Sequence, residues 1–108
     1  MLVGMGFDIH RHTQEEELYL GGLKLNGVGF KAHSDGDILL HSLCDALLGA
    51  VARKDLGHYF PSNNETPKGI SSVEMLNEVL EIINYKNYVV NNVDIIVISQ
   101  TINIAKLR

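Results

Sequence analysis

At 108 residues, of which 45% are apolar, the chain suffices for one ordinary hydrophobic core and is expected to form a single domain over residues 1–108. Its net charge of -4 excludes the usual nucleic-acid binder, because neutralising phosphates takes a surplus of Lys and Arg that neither the total nor any local cluster supplies. The lone cysteine, Cys44, excludes an intrachain disulfide and a thiolate metal cluster, and it fits a reducing compartment.

Residues 1–9 run apolar with Gly4 and Gly6 interspersed, which predicts a strand with close backbone approaches and carries no signal-peptide pattern. Residues 13–17 are polar and acidic, a loop. Residues 18–25 read as β-rich, broken by Gly21-Gly22, and Asn26-Gly27 is a tight-turn dipeptide. Ser34 is expected to open a helix, since Ser34-Asp35-Gly36-Asp37 puts an acid three residues after an N-cap serine. Leu39, Leu40, Leu43, Leu47 and Val51 then supply its apolar face. The apolar stretch 38–52, interrupted by His41, Asp45 and Gly49, is too short and too polar to span a membrane.

Residues 55–67 read as loop. Ser71 with Glu74 forms a second capping box, after which Val73, Leu76, Leu80 and Ile83 describe an amphipathic helix. The β-branched run 93–98 predicts a well-buried strand. This order places the chain in the α+β class, as a mixed β-sheet with helices packed on one face. A sequence that stops just after a buried strand leaves that strand's neighbours unaccounted for, so the domain is expected to be C-terminally incomplete.

Asp8 and His10 stand two apart in the first predicted strand, where alternate side chains share a face. His41 follows in the first turns of the long helix. One carboxylate and two imidazoles suit zinc and leave the fourth tetrahedral position open, the mark of a catalytic site. The same spacing is compatible with hydrogen-bonded surface residues at Asp8 and His10 and a satisfied core histidine at His41, and spacing alone does not choose. His12 and His58 stand in reserve as ligands. His33-Ser34 lies at the expected helix start, where unpaired N–H groups favour a phosphate, although Ser34 also fits a plain N-cap and His33 an exposed loop. In Asp55-Leu56-Gly57, leading to Phe60-Pro61, Gly57 permits close approach of a ligand and Asp55 offers acceptors to hydroxyl groups. Alone, it is an ordinary turn.

Other chemistries are absent. No Walker loop occurs, and Gly4-Met5-Gly6 is too short for a dinucleotide fingerprint. Ser34, His33 and Asp35 are adjacent and cannot adopt a triad's relay geometry. Cys44 reads as a small buried helix residue.

The ordered blocks Gly6-Phe7-Asp8-Ile9-His10-Arg11, Ala32-His33-Ser34-Asp35-Gly36-Asp37, and His41 with Asp45-Ala46-Leu47-Leu48-Gly49-Ala50 resemble the 2-C-methyl-D-erythritol 2,4-cyclodiphosphate synthase family. Asp55-Leu56-Gly57 with Phe60-Pro61, Lys68-Gly69 and Asn92-Val93-Asp94 continue the likeness, which covers about residues 2–100. The resemblance implies a phosphorus–oxygen lyase of the non-mevalonate isoprenoid pathway. It would cyclise 4-diphosphocytidyl-2-C-methyl-D-erythritol 2-phosphate to the 2,4-cyclodiphosphate and release CMP.

It implies a zinc site at Asp8, His10 and His41, and catalytic phosphate positioning by His33 and Ser34. Substrate contacts are implied at Asp8, Ile9, His10, His33, Ser34, Asp55, Leu56, Gly57, Phe60 and Pro61. It further implies a second divalent cation (Mg2+ or Mn2+) in the complete enzyme, and a homotrimer whose active sites lie between subunits, with a neighbour supplying the cytidine pocket. The compartment would be a bacterial cytoplasm or a plastid-type organelle. The chain departs from the family at Ser62-Asn63-Asn64, where acidic residues are usual, and at Ile102-Asn103, where a Pro-Lys pair is usual, so no nucleotide-binding role is carried onto that stretch. Family members also continue past the position of Arg108 through a segment with a Thr-Thr-x-Glu motif. Two rival readings are a non-catalytic metal- or nucleotide-binding remnant, and a different zinc-dependent phosphoryl hydrolase that releases inorganic phosphate.

Overall fold

Short antiparallel strands lead into three helices in the computed structural model, which describes residues 1–51, 53–63 and 65–99. Asn64 and Ile102-Asn103, singled out in the sequence, lie outside the described residues. The elements are β1 (His12–Thr13), β2 (Leu18–Leu20), β3 (Leu23–Leu25), β4 (Gly29–Phe30), α1 (Ile38–Ala50), α2 (Leu56–Tyr59) and α3 (Ser72–Tyr85). The α+β character stands. In place of one mixed sheet, the described residues pair as two separate antiparallel ladders, β1 with β4 and β2 with β3. The tight turn falls at Gly21-Gly22, ahead of Asn26-Gly27, because both residues adopt the positive φ (63° and 83°) that a two-residue hairpin demands.

Helix α1 starts at Ile38, three residues later than an N-cap at Ser34 implied. Its N-cap is Asp37, whose Oδ1 accepts from the Leu40 N–H at 3.1 Å. The same carboxylate accepts from the N–H groups of Gly21 at 3.0 Å and Gly22 at 2.7 Å. Three donors converge on this fully buried acid. It therefore caps the helix and pins the β2–β3 turn to it, which a serine hydroxyl at position 34 has no reach to do. Ser34 instead accepts from the Gly36 N–H.

The stretch 55–67, expected as loop, contains the single turn α2. Asp55 caps it by accepting from the His58 N–H, and Asp45 of α1 accepts from the Leu56 N–H at 2.8 Å. Helix α3 is capped by Ser71, as expected, but its buried face is Ser72, Met75, Val79 and Ile83. Val73 and Leu80, assigned to the core from periodicity, are 41% and 38% exposed. The helix is rotated because Ser72 is tied inward to Asp35 through both its N–H and its hydroxyl. Cys44, Leu48 and Leu56 meet Met75, Val79 and Ile83 to form the core between α1 and α3.

Residues 1–9 and 93–98 make no ladder among the described residues, so neither is a paired strand, and the second is not buried: Val93, Ile95, Ile96 and Ile98 are exposed. Their apolar sequence marks surfaces suited to being covered, but a strand also needs a partner backbone. Burial along residues 5–10 nonetheless alternates, with Met5, Phe7 and Ile9 exposed and Gly6, Asp8 and His10 turned inward. The inward side lies on α1 so closely that a Cβ at Gly4 or Gly6 would stand 1.8 Å from the carbonyl oxygen of Ala46 or Ser42. No helix among the described residues is long and apolar enough to cross a membrane.

The two kinds of glycine should answer differently to alanine. Gly6→Ala forces the segment off α1 and is expected to destabilise by at least the ~1–3 kcal/mol of an overpacked core. Gly49, inside α1 with nothing within 4 Å of its added Cβ, should gain about 0.5–1 kcal/mol from the better helix former. Thermal unfolding followed by circular dichroism checks both; a raised midpoint for Gly6→Ala would contradict the packing.

Candidate metal centre

Three side chains meet where the N-terminal segment crosses the first turns of α1. His41 is 8% exposed, and its Nδ1 lies 3.4 Å from Oδ2 of Asp8. His10, on the same side of the segment as Asp8, brings its Nδ1 to 3.0 Å from that same oxygen. The His10 and His41 rings stand edge to face, with centroids 5.7 Å apart. One ligand atom from each of Asp8, His10 and His41 falls within 4.8 Å of the others.

The 3.0 Å approach of His10 to Asp8 lacks the angles of a hydrogen bond, so Oδ2 of Asp8 and Nδ1 of His10 are both buried without one. Unsatisfied buried polar atoms are costly and rare in native proteins. A cation held between one carboxylate and two imidazoles satisfies them, and that donor set suits zinc. Burial alone would raise the Asp8 carboxyl, but the His10 and His41 rings outweigh it and bring it down to about 2. Asp8 thus stays ionised far below neutral pH, as a ligand must.

Behind the ring, Nε2 of His41 contacts the hydroxyls of Ser34 at 3.0 Å and Ser72 at 2.9 Å. A cleft of about 180 Å³ opens in front, and Asp8, His10, His33, Ser34, His41, Leu56, Gly57 and Phe60 all line it. Ile9, Asp55 and Pro61 do not. Ile9 is 79% exposed on the other side of its segment, and the Asp55 carboxylate is engaged as the cap of α2. His33 and Ser34 belong to the loop before α1 and not to a helix N-terminus. His33 carries its proton on Nε2, because that atom lies 2.6 Å from the Thr66 carbonyl oxygen, which can only accept.

The reserve histidines are placed elsewhere. His12 Nδ1 meets the Val28 and Gly29 carbonyl oxygens while the ring stacks on Phe30, and exposed His58 stands edge-on to Tyr59. Sequence reasoning missed Asp45 as a cleft residue. Its carboxyl is raised by burial, and it anchors α2 through the Leu56 N–H. Its signal was available, four residues after His41 on the same helix. Ser72 gave none.

Comparison with known proteins follows the whole chain. The sequence profile of the YgbB family matches residues 1–108. A 2-C-methyl-D-erythritol 2,4-cyclodiphosphate synthase of Desulforamulus reducens is 45% identical over 106 residues, covering 97% of this chain and 68% of that protein. A bifunctional enzyme IspD/IspF of Aliarcobacter butzleri is 48% identical over 98 residues, covering 90% of this chain and 26% of the relative. Among solved structures, a 2C-methyl-D-erythritol-2,4-cyclodiphosphate synthase superposes with a TM-score of 0.72 at 41% identity, covering 79% of this chain and 57% of the other. A CDP-bound form of a synthase of that name gives 0.70 at 38%, with the same coverage. The chain therefore spans between about a quarter and two thirds of the length of these relatives.

A divalent cation such as zinc should bind at close to one per chain by elemental analysis after dialysis. His41→Ala and Asp8→Asn are each expected to weaken it by more than the roughly hundredfold that loss of a supporting hydrogen bond can cause. Helical circular dichroism should be nearly unchanged; global unfolding of His41→Ala would instead make that ring a structural element.

Proposed function

The chain belongs to the YgbB family, and from that membership we propose that it carries the zinc and phosphate half of an active site that cyclises 4-diphosphocytidyl-2-C-methyl-D-erythritol 2-phosphate. The observation that carries the reading is the Asp8, His10 and His41 cluster inside a cleft whose other walls are His33-Ser34 and the Leu56-Gly57 turn. In the reaction an oxygen of the 2-phosphate attacks the β-phosphorus. A new P–O bond forms as the bond from that phosphorus to the bridging oxygen breaks, and CMP leaves with the bridge. Such a transfer asks the protein for positioning and charge neutralisation more than for covalent chemistry.

Asp8, His10 and His41 would hold zinc, which when bound polarises phosphate oxygens and offsets their charge. Ser34 and His33 act as positioning groups for the phosphates, with His33 oriented by its bond to the Thr66 carbonyl. Gly57 leaves its backbone open to the methylerythritol part, while Asp55 and Asp45 hold the α2 turn at the cleft edge through its N–H groups. Ile9 and Pro61 would contact substrate only through their backbone or through a neighbouring subunit, and a second divalent cation (Mg2+ or Mn2+) would join the diphosphate in the complete enzyme.

The cleft is smaller than the roughly 300–1,000 Å³ of sites that enclose a whole drug-sized ligand, so further walls are needed for the cytidine. A homotrimer with sites between subunits supplies them. The exposed apolar row Val3, Met5, Phe7 and Ile9, with Ile96 and Ile98, supports such an assembly. The bacterial origin of several relatives favours a bacterial cytoplasm over a plastid-type organelle.

Incubating the protein with the substrate, zinc and Mg2+ should yield CMP and cyclic diphosphate in equal amounts by phosphorus NMR, with no inorganic phosphate. His33→Ala is expected to lower kcat about a hundredfold, the scale for removing one stabilising donor. Inorganic phosphate as product would show a hydrolase, and bound zinc without turnover would show a binding remnant.

A further inference from the structure

The cluster explains one nitrogen of His41; the other is held by a chain of hydrogen bonds that the proposed reaction does not use. Ser72, the first residue of α3, is wholly buried. Its hydroxyl donates to Oδ1 of Asp35, and its N–H donates to Oδ2 of the same carboxylate at 2.9 Å. A serine hydroxyl has one proton, and a carboxylate only accepts. With that proton committed to Asp35, the Ser72 oxygen turns a lone pair toward Nε2 of His41, 2.9 Å away. Two facing lone pairs at that distance repel. Nε2 must therefore carry a proton, so the nitrogen a cation can take is Nδ1, on the side of Asp8 and His10.

We propose that Asp35 and Ser72 are a positioning pair that fixes the His41 proton on Nε2 and so presents Nδ1 as the ligand atom for a divalent cation. This deepens, and rests on, the reading of Asp8, His10 and His41 as a metal site. Ser34 does not duplicate the role: its hydroxyl accepts from the Gly36 N–H and keeps its own proton free, so it can face either tautomer of His41. Hydrogen-bonded partners behind a ligating imidazole commonly set its orientation and basicity in this way.

Two readouts test the pair. Nitrogen-15 NMR of the metal-stripped wild-type protein should show Nε2 of His41 fully protonated, and only partly so in Ser72→Ala. Chelator competition on the zinc-loaded proteins should show Ser72→Ala binding about 10–100-fold more weakly, with unchanged helical circular dichroism. If Ser72→Ala does not fold, Asp35→Asn, which keeps the serine and nearly the same volume, is judged by the same readouts. A wild-type His41 protonated on Nδ1 with Nε2 bare, or variants with the wild-type Nε2 protonation and zinc affinity, would overturn the proposal. Wild-type protein that binds no zinc yet holds the Nε2–H tautomer would overturn the metal reading while leaving the hydrogen-bond assignment intact.

Discussion

The site depends on how closely an extended backbone can lie against a helix. Gly4 and Gly6 rest on the carbonyl oxygens of Ala46 and Ser42, at distances that no Cβ tolerates. Two residues of extended chain advance about 6.6–6.8 Å, and four residues of helix advance about 6 Å. The two repeats nearly match, so the segment runs down α1 in register, antiparallel to it. The next inward residues, Asp8 and His10, then reach the first turns of the helix, where His41 stands. A larger side chain at either glycine would lift the segment and pull two of the three candidate ligands away.

The opposite wall is set by the loop between β4 and α1, held by two buried or half-buried acids with different partners. Asp37 gathers the N–H groups of Gly21, Gly22 and Leu40, fixing where the helix begins relative to the β2–β3 turn. Asp35 grips Ser72 and so fixes the rotation of α3. Between them the loop carries His33 and Ser34 to the cleft. His41 is thus addressed from both sides, with the candidate ligands Asp8 and His10 in front and a hydroxyl chain behind. Such supporting contacts keep a site within about 0.5 Å of its working geometry.

What the sequence disclosed follows from the range of each interaction. The Asp8-x-His10 spacing is local and survives, as do the cap at Ser71 and the burial of Cys44, whereas the buried face of α1 is Leu40, His41, Cys44 and Leu48, one residue round from the Leu39, Leu43, Leu47 row that periodicity marked. The start of α1 was misplaced because its cap is selected by donors 15 and 16 residues away in sequence. The buried face of α3 was misplaced because Ser72, polar and so unmarked by hydrophobic periodicity, is drawn inward by an acid 37 residues distant. Strand pairing of residues 1–9 and 93–98 is equally non-local. Their composition shows that they suit cover, and a ladder requires a partner that composition does not specify. The candidate ligands were legible as residues, but their convergence needed the glycine register, and the roles of Asp45 and Ser72 appear only in three dimensions.

Whether Asp8, His10 and His41 hold one zinc ion together is decided by X-ray absorption at the zinc edge on the zinc-loaded protein. Nitrogen and oxygen neighbours are expected at about 2.0–2.2 Å, with the outer scattering of two imidazoles and no sulfur. A sulfur neighbour near 2.3 Å, or oxygen neighbours without imidazole scattering, would place the ion elsewhere and contradict the shared site.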